Sequence, residues 1–126
     1  MPGKNASPGW LLETFDELVP EGANKKSMFG HPAMWVGGNM FVMLVDDELG
    51  VRLGDEHKQE FLELRGAVTF EPRGKCNFHG MVRVPKSKLK DKTFLRNWVE
   101  RAFLHTASLP PKPSGGARRA AGSKSK

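Results

Sequence analysis

Two very short turns between apolar segments constrain the fold of this chain most. The apolar stretches at residues 33–36, 40–45 and 49–53 are separated only by Gly37-Gly38-Asn39 and Asp46-Asp47-Glu48. Connections of this length cannot form a crossover, so the segments that they join must be neighbouring antiparallel strands. The Gly-Gly pair also supplies the positive φ angles that a tight hairpin turn requires. The sequence therefore predicts an antiparallel sheet in this region.

Further strands are predicted on both sides of these hairpins. Lys25–Phe29 is predicted as a strand that ends at Gly30-His31-Pro32, and shorter strands are predicted over Val68–Phe70 and Gly80–Val84. Methionines recur in these segments and are most simply fillers of the core or of a sheet face, although they could also form an adaptable binding surface. The methionines concerned are Met28, Met34, Met40, Met43 and Met81.

Three amphipathic helices are predicted from apolar residues at helical spacing. The first covers Trp10–Val19, with Ser7 or Gly9 as its cap, and the second covers Glu56–Leu64, with Asp55 as its cap and Gly66 as its stop. The third follows the cap Asp91 and carries the strongest apolar stripe: Phe94, Leu95, Trp98, Val99, Ala102 and Phe103.

This order of elements predicts an α+β fold in two layers, with one antiparallel sheet that carries helices on one face. The predicted organisation is a flexible N-terminus over residues 1–9, a single domain over residues 10–106, and a disordered basic tail rich in Pro, Gly and Ser over residues 107–126.

Positive charge is concentrated in the later part of the sequence. Residues 1–72 hold six basic and twelve acidic residues, whereas residues 73–101 hold nine basic and two acidic residues. In an extended segment, the alternating lysines after Pro85 would project to one side and could engage phosphates. A solvated basic edge that discourages aggregation is the alternative interpretation. The candidate binding residues are Arg73, Lys75, Arg83, Lys86, Lys88, Lys90 and Lys92, together with Arg118 and Arg119 of the tail.

No cofactor, metal site or catalytic constellation is predicted. Cys76 and His79 could form half of a zinc site, but a closed site needs four ligands. The single cysteine cannot form an internal disulfide, which fits a reducing compartment. The sequence has neither an apolar secretory signal nor a run of about 20 apolar residues that would span a membrane. We therefore expect a cytoplasmic protein that does not act at membranes.

An ordered series of motifs resembles the N-terminal domain of the TfoX/Sxy family. The series includes Lys26-Ser27-Met28-Phe29-Gly30, the glycine hairpin followed by Met40-Phe41, and Gly80-Met81-Val82 followed by Val84-Pro85. It extends over Lys25–Phe103. The resemblance implies a two-layer α+β fold similar to small secretion-chaperone-like domains. It also implies regulation in a bacterial cytoplasm, since named members of the family regulate natural competence together with a cyclic-AMP-responsive transcription factor.

The sequence and the resemblance together favour a non-enzymatic regulatory or protein-interaction domain. Its expected partner is another protein, which it would bind as a monomer or a weak homodimer. The alternative is a nucleic-acid-binding protein that uses the basic stretch and the tail. That alternative lacks interleaved aromatic side chains for base stacking, apart from Phe78.

Overall fold

The computed structural model describes residues 6–72 and 80–110. Within these ranges the chain forms three α-helices and six strands, and a short 3-10 helix at Lys86–Lys88 precedes the last α-helix. In chain order the elements are α1 (Gly9–Leu18), β1 (Asn24–Lys25), β2 (Ala33–Val36), β3 (Asn39–Val45), β4 (Glu48–Arg52), α2 (Asp55–Leu62), β5 (Val68–Thr69), β6 (Met81–Arg83) and α3 (Lys92–Ala107).

The six strands form one sheet in the order β1-β2-β3-β4-β6-β5, and every neighbouring pair is antiparallel. The predicted hairpins over residues 33–53 are confirmed. Gly37 and Gly38 both have positive φ, at 59° and 81°, as the tight turn between β2 and β3 requires. The local turn chemistry therefore accounts for the centre of the sheet.

The three helices of the described chain pack on one face of this sheet, which confirms the predicted two-layer α+β fold. Helix α1 contributes Leu11 and Phe15 to the main core, and α2 contributes Phe61. Helix α3 contributes the largest set, and its buried apolar residues lie at the predicted spacing. These residues are Leu95, Trp98, Val99 and Ala102.

A second apolar cluster lies on the opposite face of the sheet, because successive side chains of a strand point to opposite sides. It contains Ala33, Met40, Met43, Val45, Phe70 and Met81. Met40, Met43 and Met81 are buried there, and Met34 is buried in the main core. These four methionines are therefore core fillers, and they do not form an exposed adaptable surface.

Several predicted boundaries are wrong. The predicted strand Lys25–Phe29 ends at Lys25, since the chain turns at residues 28–31. The N-cap residue is Pro8 in helix α1 and Gly54 in helix α2. Neither makes a side-chain cap hydrogen bond, so the predicted caps Ser7, Gly9 and Asp55 are wrong. Gly66 lies beyond the end of α2, where its φ of 85° turns the chain towards β5.

The predicted cap of α3 is confirmed and gives a direct test. The Asp91 carboxylate accepts a hydrogen bond from the backbone N–H of Phe94 at 3.0 Å. Asp91→Ala should lower the free energy of unfolding by about 1 kcal/mol, because it leaves that donor without its acceptor. Urea denaturation measures the loss. Asp91→Asn keeps an oxygen acceptor and should cost clearly less; equal losses for the two variants would contradict a role for this hydrogen bond.

Candidate functional site

Phe29 occupies an unusual position at the tip of a tight turn. The backbones of Met28 and His31 exchange two hydrogen bonds, of 2.8 and 3.0 Å, which close a two-residue turn. Both central residues have positive φ, at 55° for Phe29 and 82° for Gly30. Asn and Gly are the usual residues of such a turn, whereas a bulky residue at positive φ is rare. The Phe29 side chain is nevertheless 78% exposed to solvent.

The segment that carries this turn is held to the sheet. The backbone N–H of Lys26 donates to the carbonyl of Ala33 at 2.9 Å, next to the pairing of β1 with β2. The indole Nε1 of Trp35 donates to the carbonyl of Lys26 at 3.0 Å. The Lys26 ammonium lies 5.7 Å from the centre of the Trp35 ring. The turn therefore presents Phe29 from a hydrogen-bonded hairpin.

The sequence does not predict this turn, because Lys25–Phe29 is predicted as a strand. Phe-Gly is not a recognised hairpin signal, unlike Asn-Gly or Asp-Gly. The sequence predicts a strand that continues up to Gly30, whereas β1 ends at Lys25. What only the structure shows is that Met28 pairs with His31 across the turn, which forces the intervening phenylalanine to the left-handed region.

The lysines that follow Pro85 do not form the expected one-sided row. Lys86–Lys88 is a 3-10 helix and Lys92 begins α3, so the segment is not extended. The Lys92 ammonium lies 2.9 Å from the Glu17 carboxylate. The Lys90 ammonium lies 5.1 Å from the centre of the Trp10 ring. Lys90 and Lys92 therefore contact helix α1 and lie apart from the other predicted cations of this stretch.

Arg83, Lys86 and Lys88 do lie together, around a concavity of about 560 Å³ that also includes Arg65. Pro85 and Phe94 form part of its wall. We call the concavity bounded by these six residues the basic groove. The predicted set begins at Arg73 and does not include Arg65, which follows helix α2. The turn at Gly66 brings Arg65 beside the other cations.

The cations of the basic groove differ in their surroundings. Lys86 lies 3.4 Å from the Asp47 carboxylate, and a guanidinium nitrogen of Arg83 lies 4.0 Å from Glu48. The Nε of Arg83 is buried and has no hydrogen-bond partner. Over residues 6–72 and 80–110, neither Arg65 nor Lys88 forms an ion pair. The Lys88 ammonium lies 5.4 Å from the centre of the Phe94 ring.

Several predicted residues lie outside the part of the chain that the structure describes. They are Arg73, Lys75, Cys76, His79, Arg118 and Arg119. Within the described part, no group of three or more His, Cys, Asp and Glu residues could hold a metal ion. In the same ranges, no helix combines the length and the apolar character needed to cross a membrane.

His57 and His105 take part in packing. His57 contacts the Trp98 ring edge-on, with 6.4 Å between the ring centres. The Nδ1 of His105 lies only 3.0 Å from where a Cβ on Gly54 would be, so the imidazole packs against that glycine backbone.

Burial lowers the pKa of the Arg52 guanidinium, whose Nε donates to the Met40 carbonyl at 2.9 Å. Arginine titrates so far above neutral pH that Arg52 stays a cation.

Comparison with known proteins identifies the family of the domain. The family described as the TfoX N-terminal domain matches residues 13–106, which include all three helices in whole or in part and all six strands of the described chain. Neither the curated proteins nor the solved structures gave a match. The family match covers most of the chain and agrees with the α+β architecture. The chain therefore belongs to the TfoX N-terminal domain family.

Proposed function

We propose that this chain is a non-enzymatic regulatory module that binds a protein partner through the turn at Phe29. The family match supports a bacterial regulatory domain of the TfoX type, and a link to transcriptional or competence control is part of the proposal. The domain binds as a monomer or a weak homodimer. The observation that carries the proposal is the exposed Phe29 side chain on a backbone with a φ of 55°.

The energetics of the turn support this role for Phe29. A left-handed conformation costs a residue with a Cβ roughly 1–2 kcal/mol, whereas Gly and Asn adopt it more readily. The side chain gains little in return within the domain, since most of its surface faces water. Exposed aromatic side chains on a rigid support are typical anchors of protein interfaces, where they fill an apolar pocket of the partner. Binding therefore explains a phenylalanine that folding does not.

The surroundings of the lysines favour a protein partner over nucleic acid. Lys92 lies within ion-pair distance of a carboxylate of the domain itself, and Lys90 lies against Trp10. A nucleic-acid interface needs cations that remain available to follow a phosphate backbone. Within residues 6–72 and 80–110, the contacts of Lys90 and Lys92 with helix α1 therefore count against a continuous row of phosphate-binding lysines.

Phe29→Asn distinguishes a role of Phe29 in binding from a role in stability. It should weaken partner binding without lowering the free energy of unfolding. Because asparagine tolerates positive φ, the free energy of unfolding should stay the same or rise by up to about 1 kcal/mol. Binding of the partner should weaken by at least about 2 kcal/mol, or roughly thirtyfold in Kd. Thermal denaturation measures the first effect and titration of the purified partner measures the second.

The partner is found by placing a photo-crosslinking phenylalanine analogue at position 29 in living cells. Leu104 is the matched control position, since it is 62% exposed and lies on α3. We expect one protein to crosslink from position 29 and not from position 104, and Phe29→Asn to prevent its co-purification. The same crosslinks from both positions, or a partner whose Kd is unchanged by Phe29→Asn, would contradict the proposal.

A further inference from the structure

The basic groove brings four cations from separate parts of the chain to one concavity. Arg65 follows helix α2, Arg83 ends β6, and Lys86 and Lys88 lie in the 3-10 helix. Among the described residues that line the groove, none is acidic, and Asp47 and Glu48 lie beside Lys86 and Arg83 at 3.4 and 4.0 Å. We propose that the groove binds a small organic molecule that carries a phosphate group, with the cations on the phosphate and the apolar wall on its organic part.

The charges of the groove fit a phosphate. A phosphate monoester carries between one and two negative charges at neutral pH and offers several strong acceptor oxygens. Arginine can donate two parallel hydrogen bonds to such a group, and lysine adds a compact charge. Arg65 and Lys88 are the cations best placed for this, because neither forms an ion pair within residues 6–72 and 80–110. Lys86 and Arg83 also face carboxylates, at 3.4 and 4.0 Å.

The size and the wall of the groove fit an organic ligand. A volume of about 560 Å³ lies within the range of about 300–1,000 Å³ that is typical of small-molecule sites. Leu64, Pro85 and the ring of Phe94 supply apolar surface beside the cations. A Cβ at position 66 would lie 3.3 Å from the Cβ of Pro85, so the Gly66 backbone packs closely against this proline. Inorganic phosphate would use the cations but not the apolar surface.

The distribution of charge favours a small ligand over a polynucleotide. A nucleic-acid strand needs a track of cations along its successive phosphates. Lys90 and Lys92, the next lysines after Lys88, lie outside the groove. Lys90 lies against Trp10, and Lys92 pairs with Glu17. Within residues 80–110, the lysines that line the groove are therefore separated from Lys90 and Lys92.

Phenyl phosphate and inorganic phosphate are suitable probes, and both can be titrated into the full-length chain while backbone amide signals are followed by NMR. We expect both to shift the signals of residues 64–66, 83–88 and 94, and phenyl phosphate to bind several-fold more tightly. Phenol, which has the ring without the phosphate, should leave these signals unchanged. Arg65→Gln and Lys88→Gln should each weaken phenyl phosphate binding about tenfold, the effect of losing one charge-assisted hydrogen bond.

Matched controls distinguish the groove from charge in general and from the Phe29 turn. Lys92→Gln removes a lysine outside the groove, and Phe29→Asn removes the anchor of the proposed function; neither should alter phenyl phosphate binding. Equal weakening by Lys92→Gln, equal affinity for the two phosphates, or the absence of localised shifts would overturn the proposal. Duplex DNA that binds more tightly and also shifts Lys90 and Lys92 would overturn it in favour of a polynucleotide.

Discussion

Trp98→Ala should lower the free energy of unfolding by about 3–5 kcal/mol, the usual loss for a large aromatic side chain removed from a core. Trp98 is 6% exposed and lies at the centre of an aromatic group between α2 and α3. Its ring contacts Phe61 edge-on, with 4.8 Å between the ring centres, and Phe94 at 6.3 Å. The Arg101 guanidinium lies 4.5 Å from the centre of the ring. Alanine would lose all of these contacts and leave a cavity.

Denaturation in urea, monitored by far-ultraviolet circular dichroism, measures this loss. Since small domains have a total free energy of unfolding of about 5–15 kcal/mol, the variant should lose a large part of its stability at ambient temperature. Leu104→Ala is the matched control on the same helix, because Leu104 is exposed and should lose less than about 0.5 kcal/mol. A loss below about 1 kcal/mol for Trp98→Ala would show that α3 does not pack as the structure has it.

Gly50→Ala should be the most damaging single-methyl change in the sheet. Gly50 lies in β4 between Met43 of β3 and Arg83 of β6. A Cβ at this position would lie 2.6 Å from both Cδ atoms of the Phe70 ring, a distance that real Cβ contacts do not reach. Phe70 is fully buried in the second apolar cluster, so its ring has little room to move. We expect a loss of about 1–3 kcal/mol, as for other overpacked cores.

A double-mutant cycle tests the cause of this loss. Phe70→Ala alone should cost about 3–5 kcal/mol. The double variant Gly50→Ala, Phe70→Ala should cost clearly less than the sum of the two, because the absent ring leaves room for the methyl group. Additive losses would contradict the steric explanation. Gly9→Ala is the control, since no atom lies within 4 Å of its added Cβ and stability should not fall.

Local sequence chemistry predicts much of this fold. The glycine turn at residues 37–38 and the short turn after Val45 are sufficient to specify three antiparallel strands. Helix α3 is predicted from its apolar stripe and from the Asp91 cap, and both are present. In each case the decisive residues are close together in sequence, so no tertiary contact is needed to recognise the pattern.

The candidate sites could be predicted only in part. The basic character of residues 73–92 is evident in the sequence, and Arg83, Lys86 and Lys88 do gather at one groove. Their separation from Lys90 and Lys92 depends on the 3-10 helix and on contacts with Trp10 and Glu17 of the distant α1. The sequence predicts Phe29 at the end of a strand, and apolar aromatic residues do favour strands. Pairing of Met28 with His31 overrides that preference.

The sequence alone determined the antiparallel centre of the sheet and helix α3. It also determined a family resemblance, which the family match over residues 13–106 confirms. Short turns and apolar spacing act between near neighbours, so they are visible without a structure. The tertiary structure alone decided that Phe29 faces solvent, that Gly50 lies under the Phe70 ring, and that Arg65 joins the cations of the basic groove. Each of these depends on which distant segments of the chain come into contact, and one sequence does not specify such contacts.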